Sequence, residues 1–336
     1  MFRGLNVANI PFRIRNSLWY LPFLVWTHHY DQRECKPGLT ALIVSLLVRP
    51  RSFPILYRRW VATRLPPEAC NIEPGGASIE LLVVSHPKDF VSLPICIQEA
   101  VEHSLNVVSN VTVVVPDSAV EACKDLMRLH KLDAKVVEES SLVPEGLSAN
   151  LEASFGKHRH GWVLQQLLAV SYCLRSESHG VLLVNADTII THRRSWINLD
   201  GRQPLLVSSE CTPEYYSFLE DIGVGSNPPT FTFVAHHMLF QPEIFRELLG
   251  ALTVDEFLCD LTRKITVSRD QGQESFCVEF ELYAQHLLTA HPSRYQLVKF
   301  SNRPLYGEFS AAQVVEQTRK WQGVFSSLSF HAYLRA

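Results

Sequence analysis

The sequence lacks several short motifs by which enzymes and metal proteins are recognised. Neighbouring cysteines are at least 18 positions apart, so no CxxC pair for zinc or redox chemistry is present. There is no P-loop, GxSxG nucleophile motif or HExxH zinc motif, and Gly223-Val224-Gly225 lacks the third glycine of a dinucleotide fingerprint. These absences disfavour P-loop nucleotide hydrolases, serine hydrolases, zinc proteases and dinucleotide-dependent dehydrogenases.

The chain also lacks a basic excess. Its 336 residues carry a formal net charge of −3 and only 19% charged residues, which argues against a nucleic-acid partner. Hydrophobic residues make up 46%, so a large core is expected. Residues 1–65 nevertheless carry a net charge of +8 and the remainder −11. The two parts are therefore expected to face different surroundings.

No apolar run reaches the roughly 20 residues that span a bilayer. Two shorter runs, 16–30 and 39–48, lie in the basic segment 1–65, and no secretory cleavage site follows the first. This N-terminal extension either lies on an anionic membrane surface or packs on the main domain as a helix. The Pro- and Gly-rich stretch 66–78 is predicted to be a linker. Scattered cysteines in apolar segments indicate buried free thiols and a cytoplasmic location, with the inner membrane face as the alternative site for the extension.

Apolar runs at 79–85, 111–115 and 181–184 alternate with amphipathic stretches. This rhythm predicts an α/β fold with a mostly parallel, Rossmann-like central sheet flanked by helices. Further strands are predicted at 135–138, 204–209 and 231–240, and helices at 93–105, 118–130, 161–175, 243–249 and 278–288.

Polar residues follow two of these apolar runs, where ligands bind in open α/β sheets. Ser85 and Asp89 follow the first run, and Asn185 and Asp187 follow the run at 181–184. The Asn-x-Asp spacing offers one amide and one carboxylate oxygen, which suits Mg²⁺ or Mn²⁺. The alternative is that Asp187 only caps a turn.

Two further pairs are separated by geometry. His236 and His237 are adjacent in a predicted strand, so they point to opposite faces, and we favour His237 for the site. Glu279 and Glu281 fall on opposite flanks of the apolar face of the last helix. Glu279 shares a polar edge with Tyr283, which suits acceptor recognition or general-base work, whereas Glu281 is expected to face solvent.

Several ordered stretches resemble glycosyltransferases of the GT-A fold, and more specifically a sparsely characterised family of bacterial proteins grouped with them. The stretches are Gly161-Trp162-Val163-Leu164-Gln165-Gln166, Asn185-Ala186-Asp187-Thr188, Ala235-His236-His237-Met238, Glu279-Phe280-Glu281-Leu282-Tyr283 and Ser329-Phe330-His331-Ala332-Tyr333. Asn185 stands where that pattern usually has a carboxylate. The resemblance implies a GT-A-like catalytic domain over 79–336.

The same resemblance implies a metal-assisted glycosyltransferase of polysaccharide biosynthesis, which uses a nucleotide-sugar donor, a saccharide or glycolipid acceptor, and Mg²⁺ or Mn²⁺. The expected roles are metal binding by Asp187, Asn185 and His331, donor binding by Ser85, Asp89, Gln165 and Asn185, acceptor binding by His237 and Tyr283, and catalysis by Asp187 and Glu279. The alternatives are a nucleotidyltransferase of similar fold and a non-catalytic binding protein that keeps the fold.

Overall fold

The computed structural model describes residue 65 and residues 75–331, apart from 157, 158, 209, 211, 227, 228 and 277. Most of the predicted extension and linker therefore lies outside the described residues, and so does their predicted membrane contact. The described residues belong to one compact unit, residues 64–336. Within the described part of the chain, no helix is both long enough and apolar enough to cross a bilayer.

A five-stranded sheet forms the centre of the fold. Its strands are β1 (Ile79–Val84), β2 (Val108–Val115), β3 (Lys135–Glu138), β4 (Val181–Val184) and β7 (His237–Phe240). They lie in the order β3-β2-β1-β4-β7, and every neighbouring pair is parallel except β4 with β7. The predicted α/β fold, with a mostly parallel central sheet flanked by helices, is confirmed.

Burial on both faces explains why the inner strands are continuously apolar. All four residues of β4 are buried, as are all residues of β1 except Glu80. Helices α1 (Leu93–Glu102) and α2 (Val120–Leu129) make the crossovers from β1 to β2 and from β2 to β3. Parallel neighbours need such crossovers, and the helices then cover the faces of the sheet.

Two smaller sheets stand beside the central one. The first contains β5 (Thr188–Ile190), β9 (Asn302–Tyr306) and β10 (Ser327–His331), with β10 in the middle. The second pairs β6 (Gln203–Val207) with β8 (Tyr295–Lys299) in parallel. Of these strands, only β6 was predicted from the sequence.

The remaining helices surround the sheets. They are α3 (Leu147–Phe155), α4 (His160–Arg175), α5 (Pro213–Asp221), α6 (Pro242–Phe245), α7 (Val254–Asp270), α8 (Phe280–Ala290) and α9 (Ala311–Trp321). Capping boxes begin α7 at Thr253 and α9 at Ser310.

The strand predicted at 231–240 is too long, since β7 covers only its last four residues. Of the preceding residues, Thr232 forms an isolated antiparallel bridge with Ser208, and the N–H of Phe233 donates to the Glu281 carboxylate. The prediction of buried free thiols is confirmed for Cys96, Cys123 and Cys173, whereas Cys259 is free and exposed.

Candidate functional site

The parallel pairing of β1 and β4 sets the position of the candidate site. Leu82 is in register with Leu183, so the two strands end at the same edge of the sheet. Asp89 follows β1, and Asn185 and Asp187 follow β4. This is the edge at which open α/β sheets bind ligands.

Asp187 lies beside His331 because two distant strands pair. After β4 the chain turns, with the N–H of Thr188 bonded to the carbonyl of Asn185, and enters β5. Strand β5 pairs antiparallel with β10, and the N–H of Phe330 donates to the carbonyl of Asp187. This pairing brings Asp187 Oδ2 to 3.4 Å from His331 Nδ1, with both side chains largely buried.

His236 joins the same group of side chains. Its carbonyl accepts the N–H of Asn185 at 2.9 Å, and its Nδ1 lies 3.5 Å from Asn185 Nδ2. Its ring centroid is 5.3 Å from that of His331. Burial lowers the pKa of His236 to about 4, although the negative charge of Asp187 opposes the shift. The His236 ring is therefore neutral at pH 7 and can exchange hydrogen bonds without adding charge.

The charge of Asp187 affects the pKa of a second carboxyl group, that of Asp89. Burial raises the pKa of Asp89 to about 6, Lys88 opposes the shift, and the charge of Asp187 adds to it. The hydroxyl of Ser92 donates to the carbonyls of Asp89 and Ala186, both at 3.0 Å, and so ties together the loops after β1 and β4. Asp89 and Asp187 therefore lie close enough to interact, with Lys88 as a nearby positive charge.

Two side chains near His331 were not singled out by the sequence analysis. Burial raises the pKa of Glu210, and nearby His331 opposes this shift. Tyr306 is 57% exposed, with its ring centroid 5.5 Å from that of His331. Glu210 directly follows the strand predicted at 204–209, so the sequence could have identified it as a candidate site residue. Tyr306 ends β9, which has no clear sequence pattern.

His237 and Tyr283, predicted to bind an acceptor, are both fully buried. The His237 ring lies 3.3 Å from the guanidinium of Arg194. The Tyr283 hydroxyl donates to Gln203 at 2.7 Å and accepts the N–H of Gln241 at 3.0 Å. The buried side chains of His237 and Tyr283 do not contact the surface where an acceptor would bind, so we no longer assign acceptor binding to them. The adjacent His236 is the histidine that reaches the site.

The helix edge expected at α8 is arranged differently. Glu281 does not face solvent: it is fully buried and accepts from the Tyr216 hydroxyl at 2.7 Å and from Gln285 Nε2 at 2.9 Å. Glu279 precedes α8, and its Oε2 is buried without a hydrogen-bond partner among the described residues. Burial raises the pKa of Glu279 to about 8. It is therefore mostly protonated at pH 7, which suits a proton donor better than the general base expected from the sequence.

Two predicted donor-binding residues, Ser85 and Gln165, have no hydrogen bond to another predicted site residue in the described part of the chain. Ser85 is buried at the end of β1, with its hydroxyl 3.5 Å from the carbonyl of His86. Gln165 is half-buried on α4. Its neighbour Gln166 has a structural task, since its amide bonds the carbonyl of Phe276 at 3.2 Å and the N–H of Val278 at 2.8 Å.

The donor set at Asp187 fits a divalent cation in part. Metal–ligand bonds of about 2.0–2.2 Å place adjacent ligand atoms about 3.0–3.5 Å apart. The 3.4 Å between Asp187 Oδ2 and His331 Nδ1 meets this condition. A nitrogen ligand favours Mn²⁺ over Mg²⁺, which takes oxygen ligands. Two protein ligands at this spacing would leave further positions of such an ion open.

Comparison with known proteins gives a family match for part of the chain. Residues 99–216 match the sequence profile of a family of unknown function, DUF6492. This range includes Asn185 and Asp187 but ends before His236, Glu279 and His331. No curated protein matches the chain.

Solved glycosyltransferase structures are similar to the chain at low identity. Apo mouse xyloside xylosyltransferase 1 is 13% identical, with a TM-score of 0.40 over 75% of this chain and 97% of the other. An active-site mutant of LgtC is 11% identical, with a TM-score of 0.43 over 76% and 88%. The galactosyltransferase LgtC with donor and acceptor sugar analogs is 10% identical, with a TM-score of 0.40 over 75% and 86%. Likenesses of this degree do not assign an activity.

Proposed function

We propose that this protein is a glycosyltransferase that moves a sugar from a nucleotide-sugar donor to a saccharide or lipid-linked acceptor, assisted by a divalent cation. The supporting observation is the Asp187 carboxylate, which follows the buried strand β4 and lies 3.4 Å from His331. It stands at the edge where open α/β sheets bind ligands. The like-charge influence of Asp187 on Asp89 adds a reason for a cation to bind there.

Each side chain at this edge has a distinct task in the proposed reaction. Asp187 and His331 would hold the cation, and such an ion would offset negative charge on the donor diphosphate. Asn185 and Asp89 bind the donor. His236 is neutral, so it orients a substrate group by hydrogen bonding without competing for the cation's charge.

The acceptor side of the proposed site is Tyr306. Its exposed ring beside His331 offers an apolar face and a hydroxyl, and a sugar ring commonly needs both. Glu279 is kept as a proposed catalytic group on the resemblance of its sequence stretch alone. Activity of a Glu279→Gln variant equal to that of the natural chain would remove Glu279 from the mechanism.

Binding of nucleoside diphosphates tests the proposal directly. The full chain is titrated with UDP, GDP and CDP, with and without Mn²⁺, by calorimetry and by thermal shift. One of the diphosphates is expected to bind in a Mn²⁺-dependent way, and the matching nucleotide-sugar is expected to be consumed. Removing one charge about 4 Å from a divalent ion in water costs about 2 kcal/mol, so Asp187→Asn is expected to weaken binding at least about 30-fold.

Asp133→Asn is the matched control. Asp133 is an exposed carboxylate just before β3, at the opposite edge of the parallel sheet, so its loss is expected to leave binding unchanged. Response to a nucleoside triphosphate alone would favour nucleotidyl transfer instead. No response to any nucleotide, or equal binding by Asp187→Asn, would contradict the proposed function.

A further inference from the structure

Three metal-ligating side chains meet far from the candidate site. His286 Nε2 lies 3.0 Å from Glu247 Oε2, and His291 Nε2 lies 2.8 Å from the same oxygen. One ligand atom from each residue lies within 4.8 Å of the other two. Among the described residues, this Glu247–His286–His291 cluster is the group of three that meets this spacing.

Local structure explains why the two histidines meet. His286 lies in α8, and His291 follows its last residue, where the backbone leaves helical geometry at φ −128° and ψ 62°. The N–H of His291 still bonds the carbonyl of Leu287, so the chain stays against the helix end. The two rings contact edge to face, with centroids 5.8 Å apart. The imidazoles of His286 and His291, five positions apart in the sequence, are therefore in contact.

Glu247 comes from a different part of the chain, and among the described residues no lysine or arginine pairs with it. It lies in the short 3-10 helix Arg246–Leu249, which follows α6. The guanidinium of Arg246 is directed elsewhere and donates to the carbonyls of Leu174 and Ser176. In the described part of the chain, the ion pairs of Glu247 are those with the two histidines. Its carboxylate is thus available to a cation that the imidazoles also bind.

We propose that the Glu247–His286–His291 cluster is a Zn²⁺ site with three protein ligands and one position open to solvent. Two imidazoles and one carboxylate form a donor set that zinc takes with an open fourth position. Tetrahedral bonds of about 2.0–2.2 Å place ligand atoms about 3.2–3.6 Å apart, so the oxygen–nitrogen distances need to lengthen by only about 0.5 Å. Two nitrogen ligands disfavour Mg²⁺ and Ca²⁺.

Partial exposure gives the ion a route in and leaves room for a solvent ligand. The side chains of His286 and His291 are 18% and 25% exposed, and that of Glu247 is 45% exposed. The ion would join the end of α8 to the turn after α6. Glu247 is 39 positions before His286 and 44 positions before His291 in the sequence. Zinc is therefore expected to stabilise the fold as well as to bind.

The cluster is separate from the proposed transferase site. Strand β7 runs antiparallel to β4, with His237 opposite Val184 and Phe240 opposite Val181. The residues after β7, including Glu247, therefore follow the strand toward the amino end of β4. Asp187 follows the carboxyl end of β4. A result at one site can thus be distinguished from a result at the other.

Titration of the full chain with Co²⁺ and Zn²⁺ tests the proposal. Co²⁺ is expected to give visible absorption typical of four-coordinate nitrogen and oxygen ligation, without a thiolate charge-transfer band in the near ultraviolet. Zn²⁺ is expected to displace Co²⁺ and to raise the melting temperature. His286→Gln keeps an N–H donor for Glu247 but removes the imidazole, and it is expected to weaken zinc binding at least about 100-fold, since even indirect partners of a metal cost 10–100-fold.

The controls separate this site from other metal-binding groups. His130→Gln removes an exposed imidazole after α2. Asp187→Asn removes a proposed ligand of the transferase site. Both variants are expected to keep the visible absorption and the zinc-induced thermal shift. Glu247→Gln is expected to lose both signals, which provides a second test if His286→Gln does not fold. Unchanged zinc binding in both cluster variants, or a thiolate band in the natural chain, would overturn the proposal.

Discussion

The buried carboxyl group of Glu279 provides a sharp test of the structure. Its Oε2 has no hydrogen-bond partner among the described residues, and burial raises its pKa from the ordinary 4.5 to about 8. Replacement by glutamine preserves the size of the side chain and removes its titration. We expect Glu279→Gln to stabilise the protein at pH 7.

The magnitude follows from proton linkage. Because the folded-state pKa lies above the unfolded-state value, the folded carboxyl keeps a proton that the unfolded chain releases as the pH rises past 4.5. The contribution of Glu279 to stability is thus complete below pH 4.5 and is lost progressively up to about pH 8. By pH 7 this loss is about 3 kcal/mol, and by pH 5 it is less than about 1 kcal/mol. A glutamine at this position escapes the loss.

Urea unfolding followed by tryptophan fluorescence at pH 5 and pH 7 measures the difference. The gain for Glu279→Gln is expected to be about 3 kcal/mol at pH 7 and less than about 1 kcal/mol at pH 5. Glu152→Gln, which removes an exposed carboxylate on α3, is the control and should show no pH-dependent gain. A gain of equal size at both pH values, or none at pH 7, would refute the buried state of Glu279. Stabilisation with loss of transfer would support a catalytic role, since active sites often lower stability.

Two further predictions concern the segment that joins α1 to β2. Asn106 accepts the backbone N–H groups of Trp196 and Ile197 at 2.7 and 3.3 Å. Asn106→Ala removes this acceptor and should lower the free energy of unfolding by about 1–3 kcal/mol for each buried donor left unpaired. A loss below about 0.5 kcal/mol would contradict these bonds. His103→Gln should reduce stability more at pH 6 than at pH 9. The hydrogen bond that the His103 ring donates to the Glu99 carboxylate raises the pKa of His103, and this stabilisation is lost as the pH rises through that value. Urea midpoints that differ equally at both pH values would argue against the pair.

The parts of the fold that the sequence predicts are those set by local patterns. Continuous apolar runs mark β1 and β4 because helices cover both of their faces, and no other element gives so clear a signal. Asp89 and Asp187 each lie a few residues after one of these runs, and the carboxyl ends of parallel strands share one edge, so a common position could be predicted. Identifying the carboxyl edge of the sheet therefore required no knowledge of long-range contacts.

Long-range pairing decided what local patterns could not. His331 reaches Asp187 because β10 pairs with β5, and the facing residues Ser329 and Thr188 are 141 positions apart. Glu281 was misplaced because helical periodicity treats the polar flank of a helix as solvent-facing. In α8 that flank is buried as well, and Glu281 is accommodated by three donors from other elements and its own helix, including Phe233.

The contrast between Glu281 and the groups at the sheet edge bears on function. Glu281 is buried but fully hydrogen-bonded, so fold architecture alone accounts for it. Burial raises the pKa of both carboxyl groups, to about 7 for Glu281 and to about 6 for Asp89. The difference is that a second carboxylate, Asp187, adds to the shift at Asp89, where Lys88 opposes it. Like charges held together at a partly buried edge lower the stability of the ligand-free fold. That arrangement is most simply understood if a positively charged ligand is part of the working state, as the proposed cation-assisted transfer requires.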